Sequence, residues 1–312
     1  MSMKRFLKRL LLFILPIVIL AYPLDILVSQ ILRKTNLHYG EYEVWDDIYA
    51  SNIDADLAIF GSSRAWRHFD PKIFEDSLGL KTYNFGMDGH NFWMQQLRHR
   101  KYFAKNPHPQ TIIYSVDILT LVKRVDLFNK NQLLPFMLFD DEIYNYTKSY
   151  QGFSWANYYV PLYRYATNLD FSSFISDSLF QEYRYHGFKG ADRKWNLDLQ
   201  EAELQYPNFS LDEDTPSVAL FISFIEDMKR ENIDIILVCA PEYYEGQDFV
   251  KNRVELISTF KEIAENYSLP FFDYSDSAIS KRQDLFYNTL HLNKEGAEVF
   301  TQKFIRDWQR LK

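Results

Sequence analysis

The amino-acid sequence predicts an α/β fold, a three-layer sandwich in which helices cover both faces of a five-stranded parallel sheet. Three observations predict it. Five short runs rich in β-branched and other apolar residues recur along the chain, helical segments separate them, and the runs are near-continuously apolar rather than strictly alternating. Strands of this kind are typical of parallel sheets buried between two layers of helices.

The predicted strands each end in a turn that carries glycine, proline or polar residues. They cover residues 56–60, 81–85, 111–116, 233–240 and 269–274. Ligands of open parallel sheets bind at the carboxyl ends of the strands. The segments that follow these five strands are therefore the places where a functional site is expected.

The predicted helices lie between the strands and after the last one. They cover residues 71–77, 92–103, 215–231, 249–267 and 294–311. The clearest start signal is Thr215, read as an N-cap, followed by Pro216 at the first helical position.

Two stretches interrupt the alternation of strands and helices. Residues 36–54 are predicted to be a connecting stretch, and residues 119–213 an insertion rich in Tyr, Phe, Asn, Asp and Ser. Loops of this length are uncommon in compact domains unless they have structure or function of their own. We therefore expect the insertion to be partly helical and folded over the sheet, within a domain of residues 36–312.

The first 35 residues are predicted to form a membrane anchor. Four basic residues within positions 4–9 precede an apolar run at 10–32, and about 20 mostly apolar residues suffice to cross a bilayer. Positive charge before the span predicts a cytoplasmic N-terminus and an extracytoplasmic, periplasmic remainder, with Asp25 near the far interface. A cleaved signal peptide is the alternative, but Tyr22 and Pro23 are poor cleavage context.

Composition narrows the range of partners. The net charge is −7 and no basic run occurs beyond the N-terminus, which argues against nucleic acid as a partner. The lone cysteine, Cys239, lies in an apolar run and is expected to be a small buried hydrophobe rather than part of a metal site. We expect no metal and no cofactor.

Three segments carry side chains suited to chemistry. After the first strand, Gly61-Ser62-Ser63-Arg64 can present a hydroxyl and helix-start N–H groups at the sheet edge, although such a sequence is also common in turns. Residues 83–91 contain Gly86 and Gly89, which allow the backbone to approach a ligand closely. The alternative is that this segment is an ordinary loop between a strand and a helix.

The third segment, residues 286–293, precedes the last helix. It contains Asn288 and, three residues later, His291. A polar side chain at this spacing can hold one ring nitrogen of the histidine and leave the other to act as a base. Alone, such a histidine is more often structural or simply exposed.

Together and in this order, the three segments resemble the SGNH (GDSL-like) hydrolase superfamily, over residues 56–117 and 215–312 but not the insertion. The resemblance implies a flavodoxin-like SGNH fold with Ser63 as nucleophile and His291 as its base. It also implies an oxyanion hole formed by the backbone N–H groups of Ser63 and Gly89.

Three positions depart from the family pattern. Ser62 stands where the family has Asp, which resembles the envelope acyltransfer branch, such as the D-alanyl transfer protein of teichoic acid modification and alginate acetylation proteins. Asn288 replaces the triad Asp; an amide can orient an imidazole but cannot stabilise its cation by charge. Asp117 follows the third strand, where a carboxylate would oppose an oxyanion; it could instead orient Arg64 or a loop, or hold a substrate hydroxyl.

The weaker candidates adjoin the motif residues and could contact substrate, or be solvated or structural side chains. They are Arg64, His90, Asn91 and Asp117. Asp273 and Asp276, after the fifth strand, are candidates to supply the missing triad charge.

The resemblance implies a membrane-anchored enzyme that forms an acyl ester on Ser63. The first hypothesis is an O-acyltransferase, in particular an acetyltransferase, acting on a cell-envelope polysaccharide or glycolipid with a multispanning membrane partner that delivers the acyl group. The second is an esterase or deacetylase that uses the same residues. The third is a non-catalytic binding or assembly protein that retains the fold.

Overall fold

The fold is taken from a computed structural model. It describes residues 3–35, 37–123, 126–168, 184–196, 204–206 and 208–311. The chain divides into two compact units. The anchor unit comprises Met1–Asp46 and Val125–Glu182, and the sheet unit comprises Asp47–Arg124 and Tyr183–Lys312.

A five-stranded parallel sheet forms the centre of the sheet unit, with strand order β2-β1-β3-β4-β5. The strands are β1 (Leu57–Gly61), β2 (Thr82–Asn84), β3 (Thr111–Val116), β4 (Asp234–Cys239) and β5 (Phe271–Asp273). The predicted α/β fold with five parallel strands is confirmed. The chain leaves β1 toward β2 on one side and then returns to β3 on the other, so a crevice is expected at the carboxyl ends of β1 and β3.

The helices are numbered along the chain. They are α1 (Met3–Arg33), α2 (Leu37–Ala50), α3 (Ser63–His68), α4 (Pro71–Leu78), α5 (Phe92–Phe103), α6 (Asp141–Thr147), α7 (Trp155–Tyr159), α8 (Tyr163–Asn168), α9 (Thr215–Arg230), α10 (Arg253–Tyr267) and α11 (Lys294–Gln309). Short 3₁₀ turns occupy Lys130–Leu133, Tyr244–Gly246, Ala278–Lys281 and Gln283–Leu285.

Helix ends follow from local hydrogen bonds. The N-cap of α9 is Asp214, whose side chain accepts from the N–H of Ser217, so Thr215 is the first helical residue rather than the predicted cap. The N-cap of α11 is Asn293, whose side chain accepts from the N–H of Gly296. This cap fixes the start of α11 directly after the loop that carries His291.

Aromatic residues pack both faces of the sheet. On one face, Phe300 and Phe304 of α11 join the buried side chains of the central strands in the hydrophobic core. On the other, the rings of Phe60 and Phe85 stack with centroids 4.7 Å apart, and Tyr114 contacts Phe224 of α9. Burial on both faces explains why the strand sequences are near-continuously apolar.

The prediction of a connecting stretch at residues 36–54 is wrong over most of its length, because α2 occupies Leu37–Ala50. Its buried side chains include Tyr42, Trp45 and Ile48, at the spacing of three that a helix brings to one face. Acidic residues between them masked this periodicity in the sequence.

The anchor unit contains α1, which by length and composition alone could cross a membrane. The insertion is partly helical, as predicted, with α6, α7 and α8 in its described part. Its residues divide between the two units: 125–182 group with the N-terminal segment, so the division differs from the predicted boundaries at residues 35 and 36. Predicted insertion residues 124–125, 169–183, 197–203 and 207 lie outside the described residues.

Candidate active site

Ser63 lies at the first turn of α3, immediately after β1. Gly61 ends the strand with φ +141°, and a Cβ there would lie 2.5 Å from the backbone oxygen of Ser115, so only glycine fits. Ser62 is the N-cap of α3, and its Oγ accepts from the N–H of Arg64 at 3.3 Å. The tight strand end and the cap together place the half-buried Ser63 at the edge of the sheet.

His291 reaches Ser63 from the loop before α11, 228 residues along the chain. Ser63 Oγ lies 2.7 Å from His291 Nε2. The Oδ1 atom of Asn288 lies 3.0 Å from His291 Nδ1 and accepts from the backbone N–H of His291 at 2.9 Å. Because an amide oxygen only accepts, Nδ1 carries the proton and Nε2 is left to accept from the Ser63 hydroxyl.

The surroundings of His291 disfavour its cation. Loss of solvation, together with the positive charges of Arg64, Arg67 and Arg193, lowers the pKa of His291 to about 3. The ring of Tyr287 stacks almost parallel to the imidazole, with centroids 5.3 Å apart. At neutral pH the imidazole is therefore uncharged, which is the form that can take a proton.

Gly89 lies beside Ser63 and His291 in the lining of one cavity of about 60 Å³. Its φ of +69° is in the left-handed region. The N–H of Met87 donates to the oxygen of Gly61 at 2.9 Å, which ties the loop after β2 to the end of β1. The structure thus brings the predicted nucleophile, base and oxyanion glycine to one place.

Asp117 and Ser62 form a pair at the edge of the same cavity. Ser62 Oγ donates to Asp117 Oδ2 at 2.5 Å, and the other carboxylate oxygen accepts from the N–H of Leu119 at 2.8 Å. Asp117 therefore orients Ser62 and the loop after β3. Of the roles that the sequence left open, the structure shows this loop-orienting one.

Arg64 is 3% exposed and is held by groups at the end of β4. It donates to the carboxylate of Glu242 and to the backbone oxygen of Ala240. Glu242 also accepts from Arg253 Nε at 2.9 Å. Sequence reasoning pointed to the segment after Ala240 but did not single out Glu242 or Arg253, because a lone Glu after Pro241 has no distinctive spacing.

Of the four remaining candidates, two line the cavity and two are not among its lining residues. His90 and Asn91 line the cavity, and Asn91 Nδ2 also donates to the oxygen of Val122 at 2.6 Å. Asp273 accepts from Ser275, and Asp276 is exposed beside Lys281. Among the described contacts of His291, Asn288 is the partner of Nδ1, so neither aspartate supplies the triad charge.

A second, larger cavity of about 260 Å³ adjoins the first. The two share Ile118, Leu119, Glu242 and Leu290 in their linings. Apolar side chains from two separate segments complete the second cavity: Phe209, Leu211, Phe249 and Val250. Sequence reasoning missed this cavity because no motif links those segments.

Comparison with known proteins gives matches in structure only. No protein-family profile matches the chain, and no curated protein matches it at a significant level. A GDSL-like lipase from Bacteroides thetaiotaomicron is similar with a TM-score of 0.42 and 11% identity, over 86% of this chain and 98% of that chain. A catalytic mutant of an acetylxylan esterase from Geobacillus stearothermophilus is similar with a TM-score of 0.42 and 13% identity, over 80% of this chain and 92% of that chain.

Proposed function

We propose that the protein is a membrane-anchored serine acyl-ester enzyme, an O-acyltransferase that modifies a cell-envelope polysaccharide or glycolipid. The observation that carries this proposal is the hydrogen-bonded series Ser63–His291–Asn288, with Ser63 Oγ 2.7 Å from His291 Nε2. A hydroxyl, a neutral base and a group that orients the base are the parts of an activated nucleophile.

The proposed reaction has two steps. In the first, His291 Nε2 takes the proton of Ser63, Oγ attacks the ester carbonyl, and the C–O bond to the leaving alcohol breaks as His291 returns the proton to it. In the second, His291 takes a proton from the acceptor hydroxyl and the acceptor oxygen attacks the acyl carbon. The bond from that carbon to Ser63 Oγ then breaks, and His291 returns the proton to Oγ. N–H groups of Ser63 and Gly89 would stabilise the oxyanion in both steps.

The choice between transfer and hydrolysis depends on what enters in the second step. An esterase or deacetylase would use water and the same residues, and it is the main alternative. The apolar side chains that the two cavities share, Ile118, Leu119 and Leu290, would disfavour ordered water on that side of the acyl group, which favours transfer. A multispanning membrane partner that supplies the acyl donor is part of the proposal, and it rests on the resemblance of the Gly-Ser-Ser segment alone.

Retention of α1 as an anchor is also proposed. Asp25 in α1 is buried and ion-paired with Arg164. Cleavage that removed Asp25 would leave the guanidinium of Arg164 buried without its carboxylate, at a cost of several kcal/mol. With basic residues before the span, the N-terminus would be cytoplasmic and the rest of the chain periplasmic.

Covalent labelling tests the proposal directly. The full chain in detergent is treated with an organophosphonate serine probe, and the modified peptide is identified by mass spectrometry. We expect a mass shift on Ser63, its loss in Ser63→Ala, and a much slower shift in His291→Ala; Ser258→Ala is the matched control, because Ser258 on α10 is half-buried like Ser63.

Loss of polymer O-acylation in a Ser63→Ala strain would then show that the protein transfers acyl groups. Release of acid from a simple aryl ester without any acceptor would assign hydrolysis. If neither substitution changed labelling or phenotype while deletion did, the non-catalytic alternative would replace the proposal.

A further inference from the structure

The anchor helix α1 carries an acidic side chain inside its apolar stretch, and the anchor unit buries it. Asp25 is 1% exposed. Arg164 of α8 donates to both carboxylate oxygens, at 2.7 and 2.5 Å, and the N–H of Leu162 donates at 2.6 Å. One turn further along α1, Ser29 Oγ lies 2.7 Å from Tyr165 Oη. The insertion therefore packs directly on the helix that is proposed to cross the membrane.

The position of this contact along α1 sets its depth. Arg9 is the last basic residue before the apolar run, and Asp25 lies 16 positions later (25 − 9). At a rise of 1.5 Å per residue, this corresponds to about 24 Å, less than the ~30 Å of a hydrocarbon core. With Arg9 at the cytoplasmic edge of the core, Asp25 lies about 6 Å inside its far edge, so the part of the insertion that packs around Asp25 lies next to the opposite interface.

A group of largely exposed rings begins on α1 about one turn before Asp25 and extends over the insertion. Tyr22 lies 6.0 Å from Phe139, Phe139 lies 6.4 Å from Tyr159, and Tyr159 stacks on Trp155 at 5.3 Å, all between ring centroids. Phe139 is 53% and Trp155 62% exposed. We call Tyr22, Phe139, Trp155 and Tyr159 the aromatic patch.

The chemistry of the aromatic patch fits lipid headgroups. Tyr and Trp rings are enriched at membrane–water interfaces, where the ring faces the acyl chains and the polar atom meets water. The patch also continues the exposed apolar surface of α1, since Tyr22 belongs to both. If α1 crosses the bilayer, a surface that continues its apolar side and lies next to the interface would contact lipid rather than water.

We propose that the aromatic patch of the anchor unit inserts into the headgroup region of the bilayer that α1 crosses, so that residues 126–168 form a membrane-seated platform held to the anchor by the Asp25–Arg164 ion pair. This rests on the membrane anchoring given under the proposed function. It assigns to the insertion a role in membrane contact, where the sequence assigned none.

Spin-label accessibility tests the platform in the full chain, reconstituted in vesicles of phosphatidylethanolamine and phosphatidylglycerol. The native cysteine, Cys239, is fully buried, so a methanethiosulfonate label reacts at introduced cysteines. Labels are placed in Trp155→Cys and Phe139→Cys, and the control is Glu265→Cys on the exposed face of α10. We expect the first two to collide several-fold more with oxygen than with a water-soluble nickel complex, and the control to show the reverse.

Two results would overturn the platform. Labels at 155 and 139 that are as accessible to nickel as the label at 265 would place the patch in water. Labels that face water in vesicles but are shielded from both reagents in native membranes would assign the patch to a protein partner instead. Labelling of Ser63 by the organophosphonate probe in the same preparations reports the proposed serine chemistry separately, so failure of one is not failure of the other.

Discussion

At position 288, an amide oxygen accepts the hydrogen bonds that orient His291, including one from Nδ1 at 3.0 Å. It fixes the tautomer in which Nε2 faces Ser63, but it adds no negative charge beside the ring. The nearby charges are instead those of arginines, and the pKa of His291 falls to about 3. The site thus has a well-oriented imidazole whose protonated form is poorly stabilised.

The lowered pKa of His291 determines the acid limb of the pH–rate profile. His291 acts as a base only when neutral, so a pKa of about 3 predicts full kcat/KM from neutral pH down to about pH 4, with loss as pH falls through 3. An unperturbed histidine would lose activity below about 6.5. The measurement is kcat/KM for an aryl ester against pH, with circular dichroism at each pH to show that the chain stays folded.

Asn288→Asp supplies the missing charge. An aspartate can accept the same hydrogen bonds, and its carboxylate favours the imidazolium, so the pKa of His291 rises and the acid limb moves toward neutral pH. We expect kcat at neutral pH to rise on the order of tenfold, about 1.4 kcal/mol of transition-state stabilisation. Asn288→Ala, which loses orientation as well as polarity, should lower kcat; a rise in both variants would contradict the assigned role.

At the scale of elements, the sequence located the strands because burial on both faces leaves near-continuous apolar runs, as in Thr111–Val116. It located Ser63, Gly89 and Asp117 because strand ends of a parallel sheet converge. It did not identify α2, because acidic residues lie between the buried positions of that helix. It did not identify Glu242 either, because the arginine that pairs with it, Arg64, lies 178 residues away in the sequence. Contacts between distant segments leave no periodic trace in a sequence.

The adjoining apolar cavity predicts which acyl groups the site accepts. Its lining of Ile118, Leu211, Phe249 and Val250 can cover a chain of several carbons that extends from the carbonyl at Ser63. We expect kcat/KM for nitrophenyl esters to rise from acetyl to medium-chain acyl groups. Leu211→Trp should reduce the octanoyl rate about tenfold or more and leave the acetyl rate unchanged.

The control for that series is Leu204→Trp, because Leu204 is 86% exposed in the same unit. It should leave both rates unchanged. Equal losses for acetyl and octanoyl esters in Leu211→Trp would show that the cavity does not hold the acyl chain.

At the scale of the whole molecule, Arg164 of the insertion has its ion-pair partner in α1 rather than in a sequence neighbour. Asp25 and Arg164 are separated by 139 residues, and each side chain is 1% exposed. A pair this far apart could not be deduced from composition, since the sequence shows only an isolated acid in an apolar run. Its position explains why residues 125–182 group with the N-terminal segment.

Removal of one charge and then of both tests what this pair contributes to the anchor unit. Arg164→Met leaves the carboxylate of Asp25 buried without its cation, and the expected loss of stability is on the order of 3 kcal/mol. Asp25→Leu with Arg164→Met removes both charges and retains apolar packing, so stability should return to near the wild-type level. The readout is the rate of limited proteolysis within residues 126–168 in detergent: fast for the single variant and slow for the double variant. Equal rates in all three proteins would mean that the pair does not hold the insertion on α1, and the boundary of the anchor unit would then have to depend on the packing of Leu32 and Ser29 instead.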